Sequence, residues 1–276
     1  MDKNVIAVVF DFDDTLAEES TSSFLASLGI DVEAFWKEEV KPLVNDDWDP
    51  VPAYLYKMIT TSQSGNFGTI TRDKLVSWGR QLTFFDGVES IFGRLTEYVE
   101  KIDPTIALEF YLISSGIGDI VRNTRIAENF KAIWACEFIY DDAGGIIFPK
   151  KIVNFTDKTR YLFHISKGII GEEAYGRPFD VNMKTVPEAI RVPLQHMIVV
   201  GDGYTDIPCF TLVKKYGGAA IGVYGAGDEA KRKKAQKFIE DNRVTDLVVA
   251  DYSEGSALSK SLEVALGVII STMNTG

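Results

Sequence analysis

Val5-Ile6-Ala7-Val8-Val9-Phe10-Asp11-Phe12-Asp13-Asp14-Thr15 is the stretch whose reading decides the fold. Its first six residues are apolar without a break and mostly β-branched. A run apolar on both faces suits the centre of a parallel sheet covered by helices, not a strand with one wet face. The run then ends abruptly in acid. In a doubly wound sheet, ligands bind beyond the carboxyl ends of the strands. Asp11 and Asp13, at alternate positions where the strand ends, can enter that crevice together. Their repulsion is expensive unless a cation sits between them or one of them holds a proton. Acidic turns are common and a lone D-x-D is weak evidence for a metal site, so its position at a buried strand end carries the weight.

Working outward, similar apolar runs occur at Leu108 to Ile113, Met197 to Val200 and Ala219 to Val223, with Leu247 to Ala250 suited to an edge strand. Helical patterns such as Gly87 to Lys101 and Asp206 to Lys215 lie between them. Strands alternating with helices predict an α/β fold, a Rossmann-like doubly wound parallel sheet. Two segments break the rhythm. Residues 17–85 hold no convincing buried strand, only helical stretches at Ser22 to Leu28, Val32 to Lys41, Val51 to Thr61 and Arg72 to Leu82. The expected organisation is a core domain of residues 1–16 and 86–276, with 17–85 inserted above the strand ends as a helical cap. The second break, Cys136 to Tyr140 followed by Asp141-Asp142-Ala143-Gly144-Gly145 and Ile146 to Phe148, reads as a β-hairpin.

Two further clusters stand at strand ends. Met197 to Val200 runs into Gly201-Asp202-Gly203-Tyr204-Thr205-Asp206, where the glycines permit a tight turn and close approach to a ligand. Asp206 also suits a helix cap. Hard oxygen ligands of this kind suit magnesium, which keeps waters and phosphate oxygens in its remaining positions. Ser114-Ser115-Gly116 follows another strand, and a hydroxyl with backbone N–H groups there suits a phosphate oxygen; taken alone it reads equally as a helix cap.

In this order and spacing the motifs resemble those of the haloacid dehalogenase-like (HAD) superfamily. D-x-D-x-T matches Asp11, Asp13 and Thr15, the hydroxyl motif matches Ser114, and G-D-x-x-x-D matches Gly201, Asp202 and Asp206. The resemblance spans essentially the whole chain and implies a phosphohydrolase. Asp11 would be the nucleophile, forming an aspartyl-phosphate, and Asp13 the general acid and base. Mg2+ would be held by the Asp11 carboxylate, the Asp13 backbone carbonyl and Asp202. Ser114 and a lysine would hold the transferring group, with Thr15, Ser115 and Gly116 in the substrate site. Asp206 would orient metal-bound water or that lysine. Lys158 is the preferred lysine, because Thr156 or Asp157 suits a helix cap just before it; Lys150, Lys151 and Lys167 are its rivals. An acid at Asp13 argues against a dehalogenase, and Phe12 replaces the lysine of the P-type ATPase pattern.

The cap placement is similar to that of the phosphoserine phosphatase branch, which implies a small phosphorylated metabolite as substrate. In that branch an acid after the first motif contacts an amino group, a role open to Glu18 or Glu19. Arg72 or Arg80 would meet a carboxylate. The segment from Ile165 to Leu194 is longer than a compact member of that branch needs. A phosphotransferase or mutase, and a noncatalytic metal-binding regulatory protein, remain alternative readings.

Composition narrows the field. Among 276 residues, acidic side chains outnumber basic ones 40 to 29, a formal charge of −11. That disfavours nonspecific binding to nucleic acid or to anionic membranes. The two cysteines, Cys136 and Cys209, lie in apolar surroundings and are expected as buried thiols. No signal-peptide pattern is visible, and Val264 to Ile270 is too short to span a bilayer. A cytoplasmic enzyme is expected, and oligomeric state is not readable.

Overall fold

The computed structural model describes residues 4–227 and 229–275. The chain opens with β1 (Val5–Phe10), every residue of which is buried. There follow α1 (Ser20–Ser27), α2 (Val32–Ala34), a π-helical turn over Phe35–Val40, α3 (Lys41–Asn45), α4 (Pro50–Ser64) and α5 (Arg72–Gln81). Next come α6 (Val88–Ile102), β2 (Ala107–Ile117), α7 (Gly118–Val121), β3 (Phe130–Tyr140), β4 (Ile146–Lys151) and α8 (Asp157–Lys167). The remainder is β5 (Met197–Gly201), α9 (Ile207–Lys215), β6 (Ala219–Tyr224), α10 (Glu229–Glu240), β7 (Asp246–Val249) and α11 (Ala257–Met273).

The strands form one seven-stranded sheet in the order β4-β3-β2-β1-β5-β6-β7. All neighbours pair parallel except β4, which pairs antiparallel with β3. Helices α6 and α11 pack together, as do α8 and α9, so the sheet is the Rossmann-like, doubly wound one that the apolar runs predict. From β1 the chain builds outward through β2 and β3, then returns to add β5 on the other side. The strand order therefore reverses between β1 and β5, and a crevice opens at that switch point. Asp11 and Asp202 follow the two strands that flank it.

The structure departs from the sequence reading in two places. Strand β2 does not stop at Ile113 but continues to Ile117, with a register shift against β3 between Ile113 and Ile117. Ser114, Ser115 and Gly116 therefore lie in an irregular strand and not in a helix cap. Strand β3 is a full eleven-residue strand beginning at Phe130, not merely the first arm of a hairpin. Its early half mixes exposed and half-buried residues, so the continuous apolar signal of the central strands is missing. The hairpin itself is present, turned by Asp141, whose Oδ1 accepts from Ala143 N (2.9 Å) and Gly145 N (2.8 Å). The hairpin is zipped onto the segment entering α5: Arg72 N donates to Gly144 O (2.9 Å) and Ile146 N to Ile70 O (3.0 Å).

The long segment after α8 forms short 3-10 turns at Glu172–Ala174, Asp180–Asn182 and Pro187–Ala189. Lys167 pins it by donating to Val181 O (2.7 Å) and Met183 O (2.6 Å). Arg191 makes a two-pronged ion pair with Glu109, reinforced by the Tyr111 hydroxyl donating to the same carboxylate. Burial opposes the charge on Glu109, yet these partners hold its carboxyl below the usual range. Glu109 lies near the start of β2, so the segment is anchored at the amino ends of the strands, away from Asp11. Among the described residues, no helix is long and apolar enough to cross a membrane.

Helices α5 and α7 approach at a glycine. A Cβ on Gly79 would stand 2.2 Å from Ile120 O and 3.3 Å from Asn123 Cβ. Backbone cannot yield as a flexible side chain can, so Gly79→Ala is expected to lower stability by about 1–3 kcal/mol. Urea titration measures this; a variant with an unchanged midpoint would show that the contact is not tight.

Candidate active site

At the end of β1, Asp11 N donates to Val200 O of β5 (2.9 Å), which carries the sheet pairing one residue past the strand. The Asp11 side chain, 8% exposed, turns into the switch-point crevice. Its Oδ1 accepts from Phe12 N (2.8 Å) and lies 3.0 Å from Lys158 Nζ. Lys158 comes from the first turn of α8, is 1% exposed, and also donates to Asp206 Oδ1 (2.7 Å) and Thr205 Oγ1 (3.3 Å). Asp206 Oδ2 accepts from Gly203 N (3.2 Å), so both its oxygens are engaged.

Of the four candidate lysines, Lys158 is the one whose ammonium stands beside Asp11. Lys150 and Lys151 pair with Glu137, and Lys167 holds the segment after α8. The capping signal that favours Lys158 in the sequence is not what positions it, since neither Thr156 at the N-cap of α8 nor Asp206 at that of α9 makes a side-chain cap hydrogen bond. The Asp206 carboxylate is drawn to Lys158 instead, because a buried ammonium binds it more strongly than a helix N–H does.

Asp13 stands at the mouth of the same crevice, its Oδ1 accepting from Ser20 N (2.7 Å). The chain turns sharply beside it, with Asp14 at φ 55°, a left-handed conformation that Asp tolerates better than most residues. Gly116 allows β2 to come close: a Cβ there would lie 2.5 Å from Asp13 Oδ2 and 3.1 Å from Ser114 Oγ. Ser114 Oγ accepts from Gly116 N (2.8 Å), which leaves its proton for another acceptor. The Ser115 hydroxyl is buried with no partner among the described residues. Thr15 Oγ1 is likewise buried and unpartnered, while its carbonyl accepts from the Tyr252 hydroxyl (2.9 Å).

Asp11, Asp13, Ser115, Gly116, Asp202 and Thr205 are among the residues that line a cavity of about 180 Å³, while Ser114, Thr15, Lys158 and Asp206 are buried and are not part of its wall. Burial pushes the Asp11 carboxyl up to about 7, aided by the charge on Asp206 and opposed by Lys158. Burial, then the charge on Glu19, pushes Asp13 up to about 8. Asp202 is raised by burial and by Asp11 and Asp206. For Lys158 burial works against the charge, but Asp11 and Asp206 outweigh it and the pKa is raised. One ammonium thus faces an excess of buried carboxylates, which is the electrostatics of a cation site. Oxygens of Asp11, Asp202 and Asp206 lie within 4.8 Å of one another. With both Asp206 oxygens engaged, Asp11 and Asp202 are the side chains fitted to ligate. All are hard oxygens, the donor set of magnesium.

Sequence reasoning missed two aromatic wall residues. Trp36, in the π-helical turn, donates from Nε1 to Ser22 Oγ (2.8 Å); Tyr54, in α4, donates to Ser115 O (2.6 Å). Both line the cavity, as do Glu19 and Thr21. Aromatic residues in an amphipathic helix look like core, so no local signal separates them. Glu18 is exposed and outside the cavity wall, whereas Glu19 caps α1, accepting from Thr21 N (3.1 Å) and Ser22 N (2.6 Å). Arg72 pairs with Asp119 at 3.2 Å, Arg80 is exposed, and neither lines the cavity. Both cysteines are buried and free, and the Cys136 thiol donates to Ser115 O (3.3 Å) behind the cavity wall.

No protein-family model matches the chain. A curated relative, an uncharacterized protein of Borreliella burgdorferi, is 28% identical over 282 residues, covering 93% of this chain and 94% of its own. Among solved structures, a HAD family hydrolase from Salmonella enterica serovar Typhi superposes with a TM-score of 0.56 at 15% identity, covering 95% of this chain and 71% of that one. A phosphoserine phosphatase solved as a phospho-aspartyl intermediate analogue has a TM-score of 0.56 at 16% identity, covering 95% of this chain and 99% of that one. A phosphoserine phosphatase in apo form has a TM-score of 0.53 at 18% identity, covering 94% and 98%. The chain has the fold of the HAD hydrolases, as its motifs lead one to expect.

Proposed function

We propose that the chain is a magnesium-dependent HAD-type phosphohydrolase that cleaves a small phosphate monoester through an aspartyl-phosphate. The observation that carries this reading is the pairing of Asp11 with the buried Lys158 at 3.0 Å, beside a second carboxylate, Asp13, raised to about 8. Phe12 N and Lys158 both engage Asp11 Oδ1, which leaves Oδ2 to attack phosphorus. As the new P–O bond forms, the ester P–O bond breaks and Asp13, protonated at neutral pH, gives its proton to the leaving oxygen. Asp13, now a carboxylate, removes a proton from water, whose oxygen displaces Asp11 from phosphorus. Lys158 and the Ser114 hydroxyl supply positive charge and a donor to the transferring oxygens. Magnesium, for which Asp11, Asp202 and the Asp13 backbone carbonyl are the proposed ligands, would add charge stabilisation of the phosphoryl group. In this reading residues 17–85 act as a cap that excludes water from the cavity.

Hydrolysis of p-nitrophenyl phosphate with magnesium tests the class of reaction. Removing metal with EDTA is expected to abolish turnover and added Mg2+ to restore it. Magnesium should also raise the melting temperature of the metal-free protein, because it relieves repulsion among buried carboxylates. Full turnover in EDTA would overturn the metal assignment.

A further inference from the structure

A second cavity, of about 1130 Å³, shares no lining residue with the active-site cavity. It exceeds the roughly 300–1,000 Å³ typical of small-ligand sites. Phe130, Lys131, Ala132, Ile133 and Trp134 line it in unbroken succession. A groove over one face of a sheet would meet only alternate residues of a strand, so this one runs along the edge of β3. That edge is open. Strand β4 pairs with β3 over residues 137–140, and among the described residues no strand pairs with residues 130–136 on the side away from β2. Ile170, Tyr175 and Pro178, from the segment after α8, contribute to the cavity wall, with Tyr175 74% exposed. Among the described residues, no main-chain hydrogen bond joins that segment to residues 131–135, so it lies near the edge without pairing with it.

The charge around this edge runs against that of the chain. The protein carries −11, yet Arg72, Arg122, Lys131, Lys150, Lys151 and Arg160 all line the cavity. Against them stand Asp119, Glu128 and Glu137. Glu137 is oversubscribed, facing Arg122 at 2.7 Å, Lys151 at 3.4 Å and Lys150 at 3.6 Å. Cations along an exposed edge bar apolar and basic strands, the usual guard against aggregation, but they admit an acidic one. We propose that the open edge of β3 takes up an extended acidic segment of a partner protein by strand addition, a role independent of the phosphohydrolase reading. Main-chain hydrogen bonds to the edge supply affinity, and alternate side chains supply the choice of partner. A segment alternating acidic and apolar residues brings its acids to the lysines and arginines and its apolar side chains to residues such as Ile170 and Tyr175. A second copy of this chain is a poor occupant, because two-fold pairing of this edge with itself sets the same cations against one another.

The test is fluorescence anisotropy of labelled peptides, as long as the open edge, titrated with the full chain. They are an alternating Glu-Val peptide, an alternating Lys-Val peptide, and the Glu-Val sequence with its amides replaced by esters. The Glu-Val peptide is expected to bind more tightly than either of the others by on the order of tenfold or more. The Lys-Val peptide has the wrong charge, and the ester chain lacks the N–H donors that pair with an edge. Lys131→Glu should weaken Glu-Val binding by on the order of tenfold while the melting temperature holds. Arg160→Glu gives the same readout if Lys131→Glu does not fold. Equal binding of the ester chain overturns strand addition, and absence of Glu-Val binding overturns the proposal outright. An oligouridine of the same length that binds as tightly as the Glu-Val peptide overturns the choice of a peptide. A dimer of the native chain that Lys131→Glu dissociates gives the edge to a second copy and overturns the proposal as well.

Discussion

Asp11→Asn is expected to lose turnover by on the order of 10⁴-fold or more while its metal-free fold becomes no less stable than that of the native chain. The amide has the size of the carboxylate and keeps an oxygen for Phe12 N, but it cannot attack phosphorus. The stability half follows from the raised pKa. A carboxyl near 3.8 when unfolded and about 7 when folded holds its proton more tightly in the native state. Its folded form is therefore favoured at low pH and loses that advantage as pH rises between those values. Every tenfold gain in proton affinity on folding corresponds to about 1.4 kcal/mol, so at pH 8 the native chain bears a destabilisation of a few kcal/mol that asparagine does not. Melting curves without metal should accordingly show the variant gaining on the native chain from pH 5 to pH 8. Magnesium should stabilise the variant much less. Retained turnover would remove Asp11 from the mechanism, and a variant that loses ground as pH rises would contradict the buried-charge account.

How much of this is legible in the sequence depends on how local the signal is. Val5 to Phe10 is buried on both faces, so periodicity alone identifies β1 and with it the place of Asp11 and Asp13. The turn after β5 is equally plain, because glycines and acids follow a short apolar strand. Phe130 to Ala135 is not legible, since a strand one place from the sheet edge carries half-exposed residues and a lysine. The length of β2 is hidden by its irregularity, as Ser114 to Gly116 read more naturally as a turn than as strand. Lys158 can only be ranked among rivals: a lysine that reaches the end of another strand is fixed by tertiary packing, and its neighbours in sequence do not report it. Trp36 and Tyr54 are the furthest from legibility. They are 18 residues apart in different helical segments and meet only because the π-helical turn and α4 pack together.

Lys158 bears the largest expected effect on both rate and stability. It is the one cation in contact with Asp11 and Asp206 among the described residues, and it is almost wholly removed from water. Lys158→Met keeps the length of the side chain and removes the charge, leaving buried carboxylates that face one another with nothing between them. Breaking a buried ion pair from one side costs about 3–5 kcal/mol, far more than the pair itself contributes. At pH 8 without metal the variant should therefore be strongly destabilised. The loss should shrink toward pH 5, where Asp11, already raised to about 7 beside its lysine, takes up a proton instead of standing unpaired. A second change, Asp206→Asn, removes one of the abandoned charges and should recover much of the stability at pH 8. It should not recover turnover, because neither residue then supplies charge to the transferring oxygens. That split separates a lysine that merely neutralises its neighbours from one that also acts on phosphate. If the double variant regained turnover along with its stability, Lys158 would be a structural ion and the phosphoryl group would have to be held by Ser114 and the metal alone.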